Sequence, residues 1–228
     1  PNNPTGAALS ADEMRALGEV LLRHPHVWVM SDDMYEHLVF DGGRHVTMAA
    51  AEPRLRDRTL TVSGVSKTYA MTGWRVGFAG GPARLIRAMV TMQGQATAGI
   101  STVGQAAAAA ALDGPQGIVD EMRAAYRRRR DLVVEALNRA PGIACHRPEG
   151  AFYVYPNIAG CLGRTSAGGR AIDSDEAFCM ALLEEQNVAT VFGAAFGMSP
   201  FVRISYATDD RSLEEACRRI VAFCEGLR

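Results

Sequence analysis

A chain of 228 residues, 48% apolar and 21% charged, fits a soluble globular protein with a sizeable core, one large domain or one and a half ordinary ones. A formal net charge of −1 and a pI near 6.6 give no basis for nucleic-acid or acidic-membrane binding, and no apolar run is long enough to cross a bilayer. The five cysteines are odd in number and form no CxxC pair, which reads as reduced, buried side chains in a cytoplasmic protein.

Pro1 to Gly6 is a turn-rich entry with two prolines and two asparagines. The chain begins without methionine, so a missing N-terminal part is expected. Ser10 to Glu13 is a capping box that opens a helix with Met14, Leu17, Val20 and Leu21 as its stripe. Val27 to Met30 reads as a strand buried on both faces, with Asp32 and Tyr35 just past its C-terminal end. Thr59 to Val62 and Val76 to Ala79 are further strands. Helices are predicted from Pro82 to about Gln95, from Ser101 to Leu112 and from about Gln116 to Asn138. This alternation predicts an α/β layered sheet. After Gly142 the texture changes to short strands at Ile143–Cys145, Ala151–Tyr155, Val188–Phe192 and Phe201–Tyr206. An exposed loop is predicted at Gly160–Asp173, with helices from Ser174 to Glu185 and along the Leu213–Cys224 stripe. The expected domains are residues 1–135 and a smaller α+β domain at residues 136–228.

Lys67 is the one lysine in the chain; all other positions of the Lys/Arg class are arginine. It lies in a Gly/Ser-rich turn after a β-favouring run. A lysine amine can be tuned to lose its proton and attack a carbonyl, which arginine cannot. The plainer alternative is a surface lysine. Arg203 interrupts an apolar strand pattern; there it either meets an anion or points to solvent, and the alternation alone favours solvent slightly. Asp32 and Tyr35 are either a helix cap and a core tyrosine, or a carboxylate and phenol aimed at a ligand. Arg75 is either a phosphate ligand or a surface ion-pair partner. Arg127 to Arg130 reads as a solvated helix face. No metal-ligand spacing is present among the histidines, and Gly77 to Gly81 does not fit a dinucleotide-binding loop.

Asn3-Pro4-Thr5-Gly6, Asp32-x-x-Tyr35, Ser66-Lys67 with Arg75, and Arg203-Ile204-Ser205-Tyr206 occur in this order. Together they resemble the class I pyridoxal-phosphate aminotransferases of fold type I. Met71 to Arg75 and Gly150 to Tyr153 are similar to the bacterial aspartate aminotransferase branch. The resemblance covers essentially the whole chain. It implies the C-terminal part of a large cofactor-binding domain, a mixed and mostly parallel sheet between helices, followed by a small α+β domain. It implies pyridoxal 5′-phosphate as cofactor, amino acid and 2-oxo acid substrates (aspartate or glutamate first), ping-pong transamination and a homodimer of the full-length protein.

By the same resemblance, Lys67 is the catalytic lysine that carries the cofactor covalently. Asp32 pairs with the ring nitrogen, Asn3 and Tyr35 hydrogen-bond the ring oxygen, and Arg75 holds the phosphate. Arg203 and Asn3 bind the substrate, Arg203 by its α-carboxylate, which reverses the solvent-facing reading. The Asn3–Pro4 bond is expected to be cis. The family's N-terminal part supplies more of the cofactor cup, so this stretch by itself is expected to be inactive. No arginine lies between Arg87 and Arg123, where one branch carries the arginine for a distal carboxylate. Prephenate or aromatic transamination, a carbon–sulfur lyase and the effector domain of a transcription regulator are the alternatives on this scaffold.

Overall fold

The computed structural model describes residues 1–228, in two compact units. The first comprises Pro1 and Ala8–Arg123; the second comprises Asn2–Ala7 and Ala124–Arg228.

In the first unit, helix α1 (Ala11–Leu22) begins at the expected capping box. The Ser10 side chain accepts from the Glu13 N–H, and the Glu13 carboxylate accepts from the Ser10 N–H at 2.8 Å. The helix ends where Arg58 donates to the carbonyls of Leu21, His24 and Val27 at 2.7, 2.7 and 2.6 Å, satisfying oxygens that no longer have a helical partner. Strand β1 (Val29–Asp32), a short helix α2 (Met48–Ala51), strand β2 (Thr59–Gly64), a single turn α3 (Val65–Thr68) and strand β3 (Gly77–Gly80) follow. Helices α4 (Ala83–Ala96) and α5 (Thr102–Asp113) complete the run. The sheet order is β1-β2-β3, with β1 parallel and β3 antiparallel to β2. β1 is not buried on both faces. Among these residues β2 is its only sheet neighbour, its residues alternate between half-buried and exposed, and Met30 is 71% exposed.

Helix α6 (Gly117–Leu137) contains the change from one unit to the other. The second unit then has strand β4 (Tyr153–Val154), a hairpin of β5 (Arg164–Thr165) and β6 (Ala171–Ile172), helix α7 (Asp175–Gln186), strands β7 (Val191–Phe192) and β8 (Val202–Ser205), and helix α8 (Asp210–Glu225). β8 lies between β4 and β7, antiparallel to both. Phe178 of α7 meets Phe223 of α8 edge-on at 5.4 Å, and Ile220, Leu182 and Ile172 are buried in the same unit. Two predicted elements differ. Ile143–Cys145 makes a single bridge, Ala144 to Asn157, rather than a strand. Gly160–Asp173 is not an open loop: it folds into the β5–β6 hairpin, with Cys161, Ser166 and Ile172 buried.

The basic run on α6 is exposed at Arg127 and Arg128, as expected, and departs from a solvated face at Arg129 and Arg130. Arg128 and Arg129 bind Asp210 at 2.9 and 2.6 Å. Arg130 is fully buried; it holds Asp131 Oδ1 through Nε and Nη2 at 2.9 and 2.8 Å and donates to the Pro148 carbonyl at 3.1 Å. A guanidinium is tolerated inside only with its donors met. Arg130→Ala is therefore expected to destabilise the protein by about 3–5 kcal/mol in urea unfolding, far more than Arg127→Ala on the same helix.

The Arg54 guanidinium holds the Glu52 carboxyl at about 2, below its ordinary 4.5. A depressed carboxylate stabilises the fold above its ordinary value and loses that contribution as pH falls through the depressed one. The urea midpoint is expected to fall between pH 4.5 and 2, and to fall less steeply in that window for Glu52→Gln.

Candidate active site

Four of the six residues singled out by sequence lie in the first unit. Asp32 is the last residue of β1 and pairs in register with Val62 of the parallel β2. Both strands therefore finish at the same end of the sheet. Beyond β2 the chain turns through α3, which carries Lys67. β3 starts at Gly77, opposite Gly64, so Arg75 lies two residues before that same end. The topology thus gathers an amine, a carboxylate and a guanidinium at the C-terminal ends of two parallel strands, the place where open α/β sheets bind ligands.

The turn is shaped by close packing. At Gly64 a Cβ atom would stand 2.9 Å from the Val76 carbonyl oxygen and 3.1 Å from the Gly77 Cα. A side chain here would push β3 away, so this position is small for reasons of strand contact. Beneath Lys67, Val65 and Val76 pack on Ala108 of α5, with Tyr69, Met71 and Ile100 around them. Lys67 itself is half-buried. Arg75 adopts a left-handed backbone (φ 57°) that ends the Thr72–Trp74 turn, and its Nη1 donates to the Thr72 carbonyl at 2.8 Å.

Asp32 is exposed, and its Oδ1 accepts from the Met34 N–H at 3.2 Å, bending the chain after β1. The segment is a turn rather than the helix start that a capping role would need. Tyr35 follows on that turn and is buried, 8% exposed. The neighbouring Asp33 is buried too. Its Oδ1 accepts from Ser31 Oγ at 2.8 Å, and its Oδ2 lies 3.3 Å from His45 Nε2. Sequence reading passed over this Asp33–His45 pair, because nothing in the spacing of residues 33 and 45 brings them together.

The other two residues lie in the second unit, 200 positions apart in the sequence. Arg203, on β8, donates from Nη1 to Asn3 Oδ1 at 2.8 Å. Its guanidinium carbon lies 4.9 Å from the Tyr153 ring centre and 5.0 Å from that of Phe196. Its Nε is buried and has no hydrogen-bond partner. Arg203 therefore does not point freely to solvent, as strand alternation favoured. Asn3 is carried by a loop that docks through the Gly150 N–H to the Gly6 carbonyl at 2.9 Å, and the Asn3–Pro4 bond is cis as expected. Tyr153 and Phe196 were not found by sequence as partners of Arg203. Tyr153 pairs with Ser205, two residues along β8 on the same face as Arg203, and only the register reveals that diagonal.

The five cysteines are buried and free. Burial pushes the Cys145 thiol up to about 12 and those of Cys179 and Cys217 to about 11, which keeps them protonated and unreactive. No group of three or more His, Cys, Asp or Glu side chains is placed to hold a metal ion, and no helix is long and apolar enough to cross a membrane.

Residues 1–220 match the family profile Aminotransferase class I and II. The chain is 63% identical over 227 residues to an aspartate/prephenate aminotransferase of Cereibacter sphaeroides, covering 100% of this chain and 57% of that protein. It is 57% identical over 227 residues to an aspartate aminotransferase of Rhizobium meliloti, covering 100% of this chain and 55% of the relative. The crystal structure of the aspartate aminotransferase from Rhizobium meliloti matches with a TM-score of 0.97 at 56% identity, over 100% of this chain and 57% of that one. The aromatic aminotransferase from Pyrococcus horikoshii matches with a TM-score of 0.89 at 39% identity, over 99% and 58%. The chain thus spans a little over half the length of the relatives it matches. With motifs, sheet topology and a family match over residues 1–220 in agreement, the chain belongs to the class I and II aminotransferases and carries part of their fold type I α/β architecture.

Proposed function

We propose that the full-length protein is a pyridoxal-phosphate-dependent aminotransferase that moves an amino group between an amino acid, aspartate or glutamate first, and a 2-oxo acid. The observation that carries this reading is the placement of Lys67, the one lysine of the chain, at the sheet end where Asp32 closes the paired strand. When bound, pyridoxal phosphate supplies the electron sink that makes the substrate Cα–H bond acidic. The donor set suits that group: an amine for its aldehyde, a carboxylate for its ring nitrogen, a guanidinium for its phosphate.

Each residue then has a task that follows from its chemistry. Lys67 Nζ would hold the cofactor covalently at its aldehyde carbon and, once freed by the incoming amine, would carry the substrate Cα proton to that same carbon. Asp32, a carboxylate, keeps a proton on the ring nitrogen. Arg75 holds the phosphate. Tyr35 donates from its phenol to the ring oxygen. Asn3 Oδ1 already accepts from Arg203, which leaves its Nδ2 hydrogens as donors to the same oxygen. Arg203 would pair its guanidinium with the substrate α-carboxylate, a charge-assisted contact that holds the Cα–H bond in one direction. A cytoplasmic homodimer of the complete subunit belongs to the same proposal.

Prephenate or an aromatic 2-oxo acid is the second acceptor. The 63%-identical relative from Cereibacter sphaeroides, named for both aspartate and prephenate, favours it.

Lys67→Ala is expected to lower steady-state transamination by the full-length enzyme at least about a thousandfold. Borohydride reduction followed by peptide mass spectrometry should trap the cofactor on the Lys67 peptide of the wild type; trapping elsewhere, or near wild-type turnover by the variant, overturns the assignment. Arg203→Gln should raise the KM for the amino acid roughly a hundredfold, since the carboxylate loses its charged partner. A steady-state comparison with aspartate and 2-oxoglutarate checks it.

A further inference from the structure

Arg203 is held by more than Asn3. Tyr153 and Phe196 both lie within 5.0 Å of its guanidinium carbon, in cation–π range of two separate rings. The two rings come from different elements. Tyr153 is on β4, which pairs directly with β8. Phe196 ends the tight turn Gly193–Phe196.

That turn is fixed from several sides. Asp175, 3% exposed at the start of α7, accepts at Oδ2 from the Ala194 N–H at 2.8 Å and from Ser199 Oγ at 2.9 Å. Tyr155 OH bonds the carbonyls of Gly193 and Met198 at 3.3 and 3.2 Å. At Gly193 there is no room for a side chain: a Cβ would collide with the Met198 carbonyl oxygen and stand 2.7 Å from that of Phe201. Tyr155 in turn stacks on Phe201 at 5.1 Å and meets Phe196 edge-on at 6.2 Å. A turn this constrained delivers its last side chain to one place, and that place is over the Arg203 guanidinium.

We propose that Tyr153 and Phe196 are positioning residues for substrate binding, an aromatic pair that fixes the plane of the Arg203 guanidinium for the carboxylate it receives. This rests on the proposed role of Arg203 and adds to it the reason that the arginine is ready before substrate arrives. An arginine side chain normally gives up rotamer freedom when it binds. Here the rings and Asn3 have already removed that freedom.

The test uses the full-length enzyme loaded with its cofactor, and two probes that cannot turn over, maleate and 3-phenylpropionate, with binding read by calorimetry. The probes share a carboxylate and little else. Phe196→Leu and Tyr153→Leu, which keep apolar bulk and lose the ring, are expected to weaken both probes about tenfold. Phe196→Tyr and Tyr153→Phe, which keep a ring, should bind within about twofold of wild type. In turnover, the Leu variants should raise KM more than they lower kcat, a split that a loss of folded protein would not produce. If Arg203→Gln abolishes probe binding while both Leu variants bind as wild type, the positioning role is overturned and the function of Arg203 stands. If Arg203→Gln also binds both probes as wild type, the role of Arg203 falls, and the positioning role with it. Should Phe196→Leu fail to fold, Tyr153→Leu leaves the Gly193–Phe196 turn untouched and decides the matter in the same way.

Discussion

The first unit depends on how closely β3 approaches the end of β2. Gly64 lies against the Val76 carbonyl and the Gly77 Cα with no space for a Cβ. That contact sets where β2 stops and where the following turn begins. Lys67 comes three residues later and Arg75 two residues before the pairing resumes at Gly77. The amine and the guanidinium are thus placed by backbone packing, and the apolar layer of Val65, Val76 and Ala108 beneath keeps the turn from sagging. A loop with so many small residues would otherwise sample many conformations. The strands fix its two ends, and Asp32 reaches the same end through the parallel register of β1.

Most of the buried charge is met by partners inside the fold. Arg130 has Asp131 and the Pro148 carbonyl. Asp175 has Ala194 and Ser199. Glu52 has Arg54. Each is satisfied within its own unit, as a buried polar group must be. Arg203 is the exception among these: one nitrogen meets Asn3, the guanidinium meets rings, and Nε meets nothing. An arginine that holds the fold together saturates its donors. On that criterion Arg203 differs in kind from Arg130, although the sequence places both in helix or strand patterns that suggest solvent.

Much of the fold could be read from residue order. The Ser10 capping box, the starts of α4 at Pro82 and α5 at Ser101, and the stripe of α8 all depend on neighbours within a turn or two, and they appear as expected. The Lys67, Asp32 and Arg203 motifs were legible because each is a short local pattern. What escaped were features created by long-range register. The Tyr153 diagonal to Arg203 depends on β4 pairing with β8 across some fifty intervening residues. Arg130 was taken for a solvated face because its three arginine neighbours dominate the local pattern. The Gly160–Asp173 segment looked open because its glycines and serines, which read as loop, are the turn residues of a hairpin that covers Cys161 and Ile172.

The residues gathered here also bear on specificity. On the proposed reading, Lys67 acts at Cα–H, Arg203 at the α-carboxylate, and Asp32, Tyr35 and Arg75 at the cofactor. None of these atoms belongs to a substrate side chain. A chain stretch devoted to what all amino acids share has no reason to change when the side chain changes. The likenesses fit this: relatives named for aspartate, for aspartate and prephenate, and for aromatic amino acids all match over 99% or more of the chain, and the two solved structures superpose with TM-scores of 0.97 and 0.89. The stretch between Arg87 and Arg123 offers no arginine to a distal carboxylate. On the same proposed reading, a preference between dicarboxylic and aromatic partners would be set by groups other than Lys67, Asp32 and Arg203, because these meet only the parts of the substrate that do not vary.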